Sequence, residues 1–207
     1  MTARAELVVW SDYLCPWCYV ATVRLERLQA EFGDRLALEW RTFLLRPQPD
    51  PSRTLDAFRA YTQSWRRPAE EPDAPAFRPW ATDEGPPSHS VPPHLVAKAA
   101  ATLGPDAFHA MHARLLRAYF EENRDVTNAR TLLALWCDVG LPEAEFVRVG
   151  EPAMLDRVIA EHNDAVRRDV GGVPAVMMVG IDTPMTGALP YDTYRRWVER
   201  RLAGEIG

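Results

Sequence analysis

Strand-forming sequence in this chain is confined to its two ends, and this distribution limits the folds that the chain can adopt. Four short segments have the apolar runs or the alternating pattern of β-strands: Glu6–Ser11, Leu36–Phe43, Val173–Val179 and Asp182–Ala188. A helix with one apolar side follows the first strand and ends at Gly33, and Tyr191–Leu202 is predicted to be a closing helix. Neither end holds enough strand to bury a sheet by itself. We therefore expect both ends to pair in one α/β unit, with the middle of the chain inserted between them.

The middle of the chain is predicted to be helical apart from one proline-rich segment. Helical patterns cover Thr54–Trp65, Pro93–Leu103, Pro105–Glu122, Asn128–Val139 and Pro152–Asp169. Eight of the 18 prolines lie between Pro68 and Pro93, so residues 66–93 are expected to form a long loop or a mobile lid. In this segment, Phe77 and Trp80 are expected to pack as ordinary loop residues, with covering of a functional site as the alternative. The expected organisation is one discontinuous domain of residues 1–46 and 170–207, with a helical insertion of residues 47–169.

Charge and composition exclude several functional classes. The 207 residues carry a formal net charge of -5, which argues against a basic face for nucleic acid. No apolar run approaches a membrane span of about 20 residues or a secretory core of about 7–15 residues. We therefore expect a cytoplasmic protein without nucleic-acid or membrane partners, and no sequence feature sets its oligomeric state. Persistent structural disulfides are uncommon in the cytoplasm.

Two of the 3 cysteines, Cys15 and Cys18, lie in the predicted turn between the first strand and the first helix. The first N–H groups of a helix are unpaired and its N-terminus carries a partial positive charge, so a thiolate is stabilised there. Pro16 suits the first helical position because its missing N–H would have had no partner. One helical turn brings the two sulfurs within reach of each other, and Cys15, nearer the helix end and more exposed, is the expected nucleophile. Cys18 is the expected resolving thiol, which displaces the substrate from the mixed disulfide.

Three simpler interpretations of this cysteine pair stay open: a structural disulfide, half of a zinc site, and two inert thiols. Zinc normally takes four N or S ligands, but the chain has no second C-x-x-C and its 5 histidines are scattered, so no metal is predicted. His109 and His112 share a helix face and are interpreted as surface or core-edge residues. Cys137 lies in an apolar helical stretch and is interpreted as a buried inert thiol.

Several segments, in the same order along the chain, resemble one family of thioredoxin-fold proteins: Asp12–Tyr19, Arg41–Pro47, Leu116–Glu122, Gly172–Ala175 and Thr186–Pro190. The family is that of the DsbA-like oxidoreductases. The closer match is its FrnE-like branch, which is grouped with 2-hydroxychromene-2-carboxylate isomerases and kappa-class glutathione transferases. The resemblance implies an α/β, thioredoxin-like fold with a large all-helical insertion.

The chain departs from this family pattern in two places. Family members often have an Asn and an Ala-His-Arg run after the long loop, where this chain has Ser88–His94, so no substrate role is assigned to His94. Some FrnE-like proteins also have a second, C-terminal C-x-x-C, whereas no Cys follows Pro190 here.

For the site, the resemblance implies that Pro174 has a cis peptide bond and lies against the cysteine pair. Val173 and Pro174 would then offer a backbone edge to an extended substrate. Trp17 would border the substrate groove and help to set the redox potential, while Pro16 and Pro174 would shape the site from two sides. The alternative for Pro174 is the start of an edge strand.

The main functional hypothesis is a thiol–disulfide oxidoreductase that acts on a disulfide- or thiol-containing protein, peptide or glutathione. No cofactor is expected besides the redox-active Cys15–Cys18 pair, with glutathione included as a substrate or reductant. The alternative is a glutathione-dependent isomerase or transferase, but such relatives typically have Ser where this chain has Cys15, so both cysteines together favour exchange. A third hypothesis is a non-catalytic binding module on the same fold.

Overall fold

The computed structural model describes residues 4–206, in which the two ends of the chain form one sheet. The sheet has the order β2-β1-β3-β4, and its strands are β1 (Ala5–Ser11), β2 (Leu36–Thr42), β3 (Ala175–Met178) and β4 (Met185–Thr186). Strand β1 pairs parallel with β2 and antiparallel with β3, and β4 pairs antiparallel with β3. The expected pairing of the two ends is therefore confirmed.

Helices connect and flank these strands. They are α1 (Pro16–Phe32), α2 (Leu55–Thr62), α3 (Arg66–Ala69), α4 (Val91–Ala101), α5 (Pro105–Phe120), α6 (Ala129–Asp138), α7 (Pro152–Arg167) and α8 (Tyr191–Leu202). Helix α1 ends as predicted at Gly33, whose φ of 55° falls in the left-handed region that glycine tolerates best. Asn128 caps helix α6, because its side chain accepts the N–H groups of Arg130 and Thr131.

The two faces of the sheet pack against different helices. Leu7 and Val9 lie in one apolar cluster with residues of α1 and α8, whereas Val8 and Trp10 lie in another with Ala165 of α7. This alternation follows the two-residue period of a strand. A third apolar cluster joins α2, α4, α5 and α6 to the turn after β1, so the cysteine turn lies where the sheet meets the helical insertion.

The predicted strand boundaries near the C-terminal end were too wide. Strand β3 begins after Pro174, because a proline has no N–H to donate to a ladder. Strand β4 has only 2 residues, since Pro184 precedes it and Gly187, with a φ of 103°, bends the chain directly after it. Helix α4 begins at Val91 rather than Pro93, because prolines fit the first helical turn.

The proline-rich segment is packed onto the helical insertion. Trp80 is 3% exposed, and its ring lies 5.0 Å from that of Phe58 between centroids. Phe77 contacts Tyr19 and Phe120 edge to face. The prediction of ordinary packing for Phe77 and Trp80 is therefore confirmed. The prediction of a loop over residues 66–93 holds only between α3 and α4, because Arg66–Ala69 and Val91 onward are helical.

One buried arginine ties this loop to the rest of the fold. The guanidinium of Arg24, in α1, is 2% exposed and donates to the carboxylates of Glu71 and Asp73 in the loop. It also donates to the carbonyl oxygens of Ala188 and Leu189, which precede α8, at 2.8 and 3.1 Å. One side chain therefore joins three separate segments of the chain.

Cys137 was predicted to be buried, and this prediction is wrong. Its neighbours Leu135 and Trp136 are fully buried, but the rotation of about 100° per helical residue turns Cys137 outward, and it is an exposed free thiol. Across residues 4–206, no group of three or more His, Cys, Asp or Glu side chains is arranged to hold a metal ion. Within the same range, no helix is long and apolar enough to cross a membrane.

Candidate active site

The sulfur of Cys15 occupies the N-terminus of α1. Cys15 is the N-cap residue, with extended backbone angles, and its sulfur accepts the N–H of Cys18 at 3.3 Å. Pro16 fills the first helical position, where no N–H is needed. The N–H of Cys18 and the partial positive charge of the helix end therefore both point at the Cys15 sulfur.

Cys18 lies directly behind Cys15 and is fully buried. Burial raises the pKa of the Cys18 thiol well above its usual value, and the contact with Cys15 acts in the same direction. Hydrogen bonds from Asp12 and Ser11 act against this rise. Both cysteines are free thiols, and Cys15, at 5% exposure, is more accessible than Cys18 at 0% but less exposed than expected.

The Val173–Pro174 peptide lies beside the same sulfur. Its peptide bond is cis, and the Cys15 thiol donates to the carbonyl oxygen of Val173 at 3.4 Å. The carbonyl of Pro174 accepts the N–H of Gly187 at 2.7 Å, which fixes this segment against the sheet. The structure thus brings Cys15, Cys18, Val173 and Pro174 together.

A groove opens next to Cys15, between the cysteine turn and the helical insertion. It has a volume of about 290 Å³. Its lining residues come from the start of α1, the loop after β2 and the segment from α2 to α3: Leu14, Cys15, Pro16, Trp17, Leu45, Tyr61, Ser64, Arg67 and Pro68. Trp17 therefore lines this groove beside Cys15.

Asp12 is a buried acid of this site that the sequence reasoning missed. It is 0% exposed, and its two carboxylate oxygens accept the N–H groups of Leu14 and Leu45, each at 2.7 Å. Burial raises the pKa of this carboxyl to about 6. The hydrogen bonds from Ser90 and from the two backbone N–H groups lower the pKa, but burial has the larger effect. Asp12 thereby joins the cysteine turn to the loop after β2. The sequence did contain a signal for this role, because Asp12 is an acidic residue placed directly between the predicted first strand and the predicted first helix.

A second buried network runs from the cysteine turn into α5. The hydroxyl of Tyr13 lies 2.9 Å from Nδ1 of His112, and Nε2 of His112 lies 3.3 Å from Oγ1 of Thr22. The Thr22 hydroxyl donates to the carbonyl of Cys18 at 2.9 Å. Since that hydroxyl has one proton, it accepts from His112, which places the imidazole proton on Nε2 and makes Tyr13 the donor to Nδ1.

His112 is more deeply placed than the sequence indicated. It is 2% exposed, and burial lowers its pKa to about 3, so the ring is neutral near pH 7. His94, at 4% exposure, lies near it with its ring 4.8 Å from that of Tyr13. Tyr13, His94 and His112 are among the residues that line a cavity of about 10 Å³, enough for about one water molecule. His94 therefore lies behind the site and does not line the groove.

A family model and a related protein both match this chain over most of its length. The family described as DSBA-like thioredoxin domain matches residues 6–199. The uncharacterized protein YwbO of Bacillus subtilis (strain 168) is 26% identical over 207 residues, covering 92% of this chain and 94% of YwbO.

Solved structures share the architecture. The cytosolic disulfide reductase DsbM from Pseudomonas aeruginosa has a TM-score of 0.74 at 23% identity, covering 96% of this chain and 98% of DsbM. The structure of DsbM with GSH has a TM-score of 0.69 at 22% identity, covering 97% of this chain and 96% of that one. A periplasmic thioredoxin-like protein from Salmonella enterica serovar Typhimurium has a TM-score of 0.60 at 18% identity, covering 98% of this chain and 86% of that one. These similarities confirm the predicted thioredoxin-like fold with a helical insertion.

Proposed function

This chain belongs to the family of DSBA-like thioredoxin domains, and on that premise we propose that it is a thiol–disulfide oxidoreductase whose reacting groups are Cys15 and Cys18. The observation that carries the proposal is the environment of the Cys15 sulfur. It lies between the N–H of Cys18 at 3.3 Å and the carbonyl of Val173 at 3.4 Å, at a helix N-terminus and beside an open groove. An inert structural thiol needs neither the helix end nor the groove.

In the proposed reaction, the Cys15 thiolate attacks one sulfur of a substrate disulfide. A bond forms between Cys15 and that sulfur, the substrate S–S bond breaks, and the first substrate thiolate leaves. Cys18 then loses its proton and attacks the sulfur of Cys15, and the second substrate thiolate leaves. Two electrons and two protons pass to the substrate thiols, and the protein is left with a Cys15–Cys18 disulfide. A thiol substrate drives the same steps in reverse.

Cys18 is suited to the resolving step. The raised pKa of its buried thiol keeps it protonated until the mixed disulfide has formed, so it does not compete with Cys15 for substrate. The backbone N–H of Asp12 and the hydroxyl of Ser11 donate hydrogen bonds to its sulfur, which support the thiolate as it forms. The order of attack is therefore set by position in the helix and by burial.

The remaining residues of the site position the substrate in this proposal. The Val173 carbonyl accepts the Cys15 thiol, so loss of that proton frees the carbonyl to accept an N–H from an extended substrate. Pro174 and Pro16 fix the backbone on the two sides of the sulfur, and Trp17 forms one wall of the groove.

We further propose a cytoplasmic protein that uses glutathione or a related thiol as substrate or reductant, with no other cofactor. Two matches support this choice: DsbM is a cytosolic disulfide reductase, and it has been seen with GSH. Membership of the FrnE-like branch belongs to the same proposal.

The test is single-turnover oxidation of the reduced protein by hydroxyethyl disulfide, followed by release of free thiol. All variants are made in a C137S background, which removes the exposed thiol of Cys137, and the protein with both Cys15 and Cys18 is expected to release two thiols per protein. C18S should release one and stop at the mixed disulfide, and C15S should be slower by at least about 100-fold. Equal rates for C15S and the wild type would overturn the assignment. Glutathione-dependent isomerisation that persists in a C15S/C18S double variant would favour the isomerase hypothesis.

A further inference from the structure

The groove beside Cys15 has two walls of different origin. The start of α1 and the loop after β2 form the first, and the segment from α2 to α3 in the helical insertion forms the second. The Cys15 sulfur lies between them. A substrate bonded to Cys15 must therefore place part of its structure against Tyr61, Ser64 and Arg67.

The groove carries one charge. Arg67 is the sole ionisable group of fixed charge among its lining residues, and no acidic side chain lines it. Within residues 4–206, the Arg67 guanidinium forms no ion pair or side-chain hydrogen bond, and its side chain is exposed. Buried Arg24, by contrast, is paired with the carboxylates of Glu71 and Asp73 in the loop after α3. A guanidinium fork facing an open groove is suited to bind a carboxylate with two parallel hydrogen bonds.

The rest of the groove is apolar. Leu45 and Tyr61 are each 45% exposed beside it, although large apolar side chains tend to be buried where packing allows. With Trp17 and Pro68, they offer apolar contact to the carbon skeleton of a bound molecule. A volume of about 290 Å³ is at the small end for ligand sites, which are commonly about 300–1,000 Å³. The dimensions therefore favour a small molecule over the surface of a folded protein.

We propose that this groove is a subsite for small disulfides that carry a carboxylate, with Arg67 as the specificity-determining residue. The proposal rests on the proposed function, because Cys15 must attack a disulfide for the subsite to select among them. The carboxylate of one substrate half pairs with Arg67, and its carbon chain lies against Tyr61 and Leu45. This pairing places the adjacent substrate sulfur at Cys15. The exchange then follows the same steps as in the proposed reaction, with the same two electrons and two protons passing to the substrate thiols.

Three disulfides of matched length test the subsite: 3,3′-dithiodipropionate is anionic, hydroxyethyl disulfide is neutral and cystamine is cationic. The kcat/KM of each is measured under turnover, with dithiothreitol re-reducing the protein after each cycle. Each value is divided by the rate at which dithiothreitol alone reduces that disulfide, which removes differences in intrinsic reactivity. The wild-type protein is expected to prefer the anionic disulfide over the cationic one by at least about tenfold. Added salt should reduce the value for the anionic disulfide most.

The chain offers a matched control in the neighbouring residue. Arg66 and Arg67 are both exposed and both belong to α3, but Arg67 alone of the two lines the groove. R67A should lower kcat/KM for the anionic disulfide about tenfold and leave the neutral one unchanged, and R67E should favour the cationic one. R66A should match the wild type. R67K keeps the positive charge and should retain part of the preference for the anionic disulfide. This result would show that the loss in R67A comes from the missing charge and not from misfolding.

The outcomes separate this inference from the function on which it rests. If the wild-type protein turns over neither the three small disulfides nor a protein disulfide such as insulin, the oxidoreductase proposal itself fails. If it turns over insulin but none of the three, the subsite is wrong and the oxidoreductase proposal stands. If it turns over all three without preference, or if R66A and R67A have equal effects, the subsite is wrong and the oxidoreductase proposal stands. A loss in R67A that is confined to a protein disulfide such as insulin would also overturn the assignment to small molecules.

Discussion

The sulfur of Cys15 lies 3.4 Å from the carbonyl oxygen of Val173, although 158 positions of sequence separate the two residues. Sheet topology explains this proximity. Strands β1 and β3 are antiparallel neighbours in which Trp10 pairs with Ala175, so the turn that follows β1 meets the turn that precedes β3 at one edge. The helical insertion can therefore be long without disturbing the site.

The buried guanidinium of Arg24 is expected to contribute strongly to stability. R24A would leave the carboxylates of Glu71 and Asp73 and two backbone carbonyls without their donor, and we predict a loss of about 3 kcal/mol in the free energy of unfolding. Denaturant titration followed by tryptophan fluorescence measures this loss.

Two variants control for this effect. R24K keeps the charge but lacks the planar fork, so it should recover less than half of the lost stability. R27A removes an exposed guanidinium that lies 3.9 Å from the centre of the Tyr191 ring, and a loss of about 0.5–1 kcal/mol is expected. A loss of similar size in R24A and R27A would contradict the assigned role of Arg24.

Asp12 is predicted to make stability fall as the pH rises from about 4 to 6. Its pKa is raised from 3.8 to about 6, so between these values the folded state binds a proton that the unfolded state has lost. The contribution is fully present below the lower value and is lost as the pH passes the upper one, for a change of up to about 3 kcal/mol. D12N should lack this dependence when unfolding is measured at several pH values. A carboxyl ¹³C titration of Asp12 with a midpoint below pH 5 would contradict it.

His112 is predicted to act with the opposite sign. Its pKa is lowered from 6.5 to about 3, so the unfolded state takes up a proton that the folded state refuses, and this contribution to stability is lost as the pH falls below about 6.5. Ring ¹⁵N shifts should report a neutral imidazole with the proton on Nε2 down to pH 5. Y13F, which removes the donor to Nδ1, should cost about 1–2 kcal/mol. A protonated His112 ring at pH 5.5 in the folded protein would refute this account.

The three cysteines should differ in their reaction with iodoacetamide. Cys137 is exposed, so it should be modified in the folded, reduced protein, whereas Cys18 is fully buried and should react at least about tenfold more slowly. Peptide mapping by mass spectrometry distinguishes the sites, and unfolding in guanidinium should make all three reactive. Equal labelling of Cys18 and Cys137 before unfolding would show that the helix end is more open than described.

The pattern of residues predicts much of the fold but less of the site. The apolar run before Cys15, the helix ending at Gly33 and the proline-led helices are local features, and each follows from its own residues. The antiparallel pairing of β1 with β3 is a long-range contact that no local pattern specifies. The meeting of Pro174 with the cysteine pair was accordingly available only through a family resemblance.

The missed features are those in which tertiary contacts decide the role of a residue. Asp12 and His112 belong to types that are usually exposed or intermediate, yet each is buried because the fold supplies partners for its polar atoms. Cys137 lies in an apolar stretch, but its position on the helix turns it outward. The prolines of the long loop indicated the absence of regular structure, whereas Trp80 and Arg24 determine how the loop packs.

The most direct test of the account is to trap the mixed disulfide. Variants C18S and C15S are made in a C137S background, so that the exposed thiol cannot react, and each is treated with excess oxidised glutathione and analysed by intact mass and peptide mapping. One glutathione adduct is expected on Cys15 in C18S, and an adduct on Cys18 in C15S is expected to form at least about 100-fold more slowly. Adducts that form at equal rates in the two variants, or no adduct on Cys15, would contradict the assignment of Cys15 as nucleophile and Cys18 as resolving thiol.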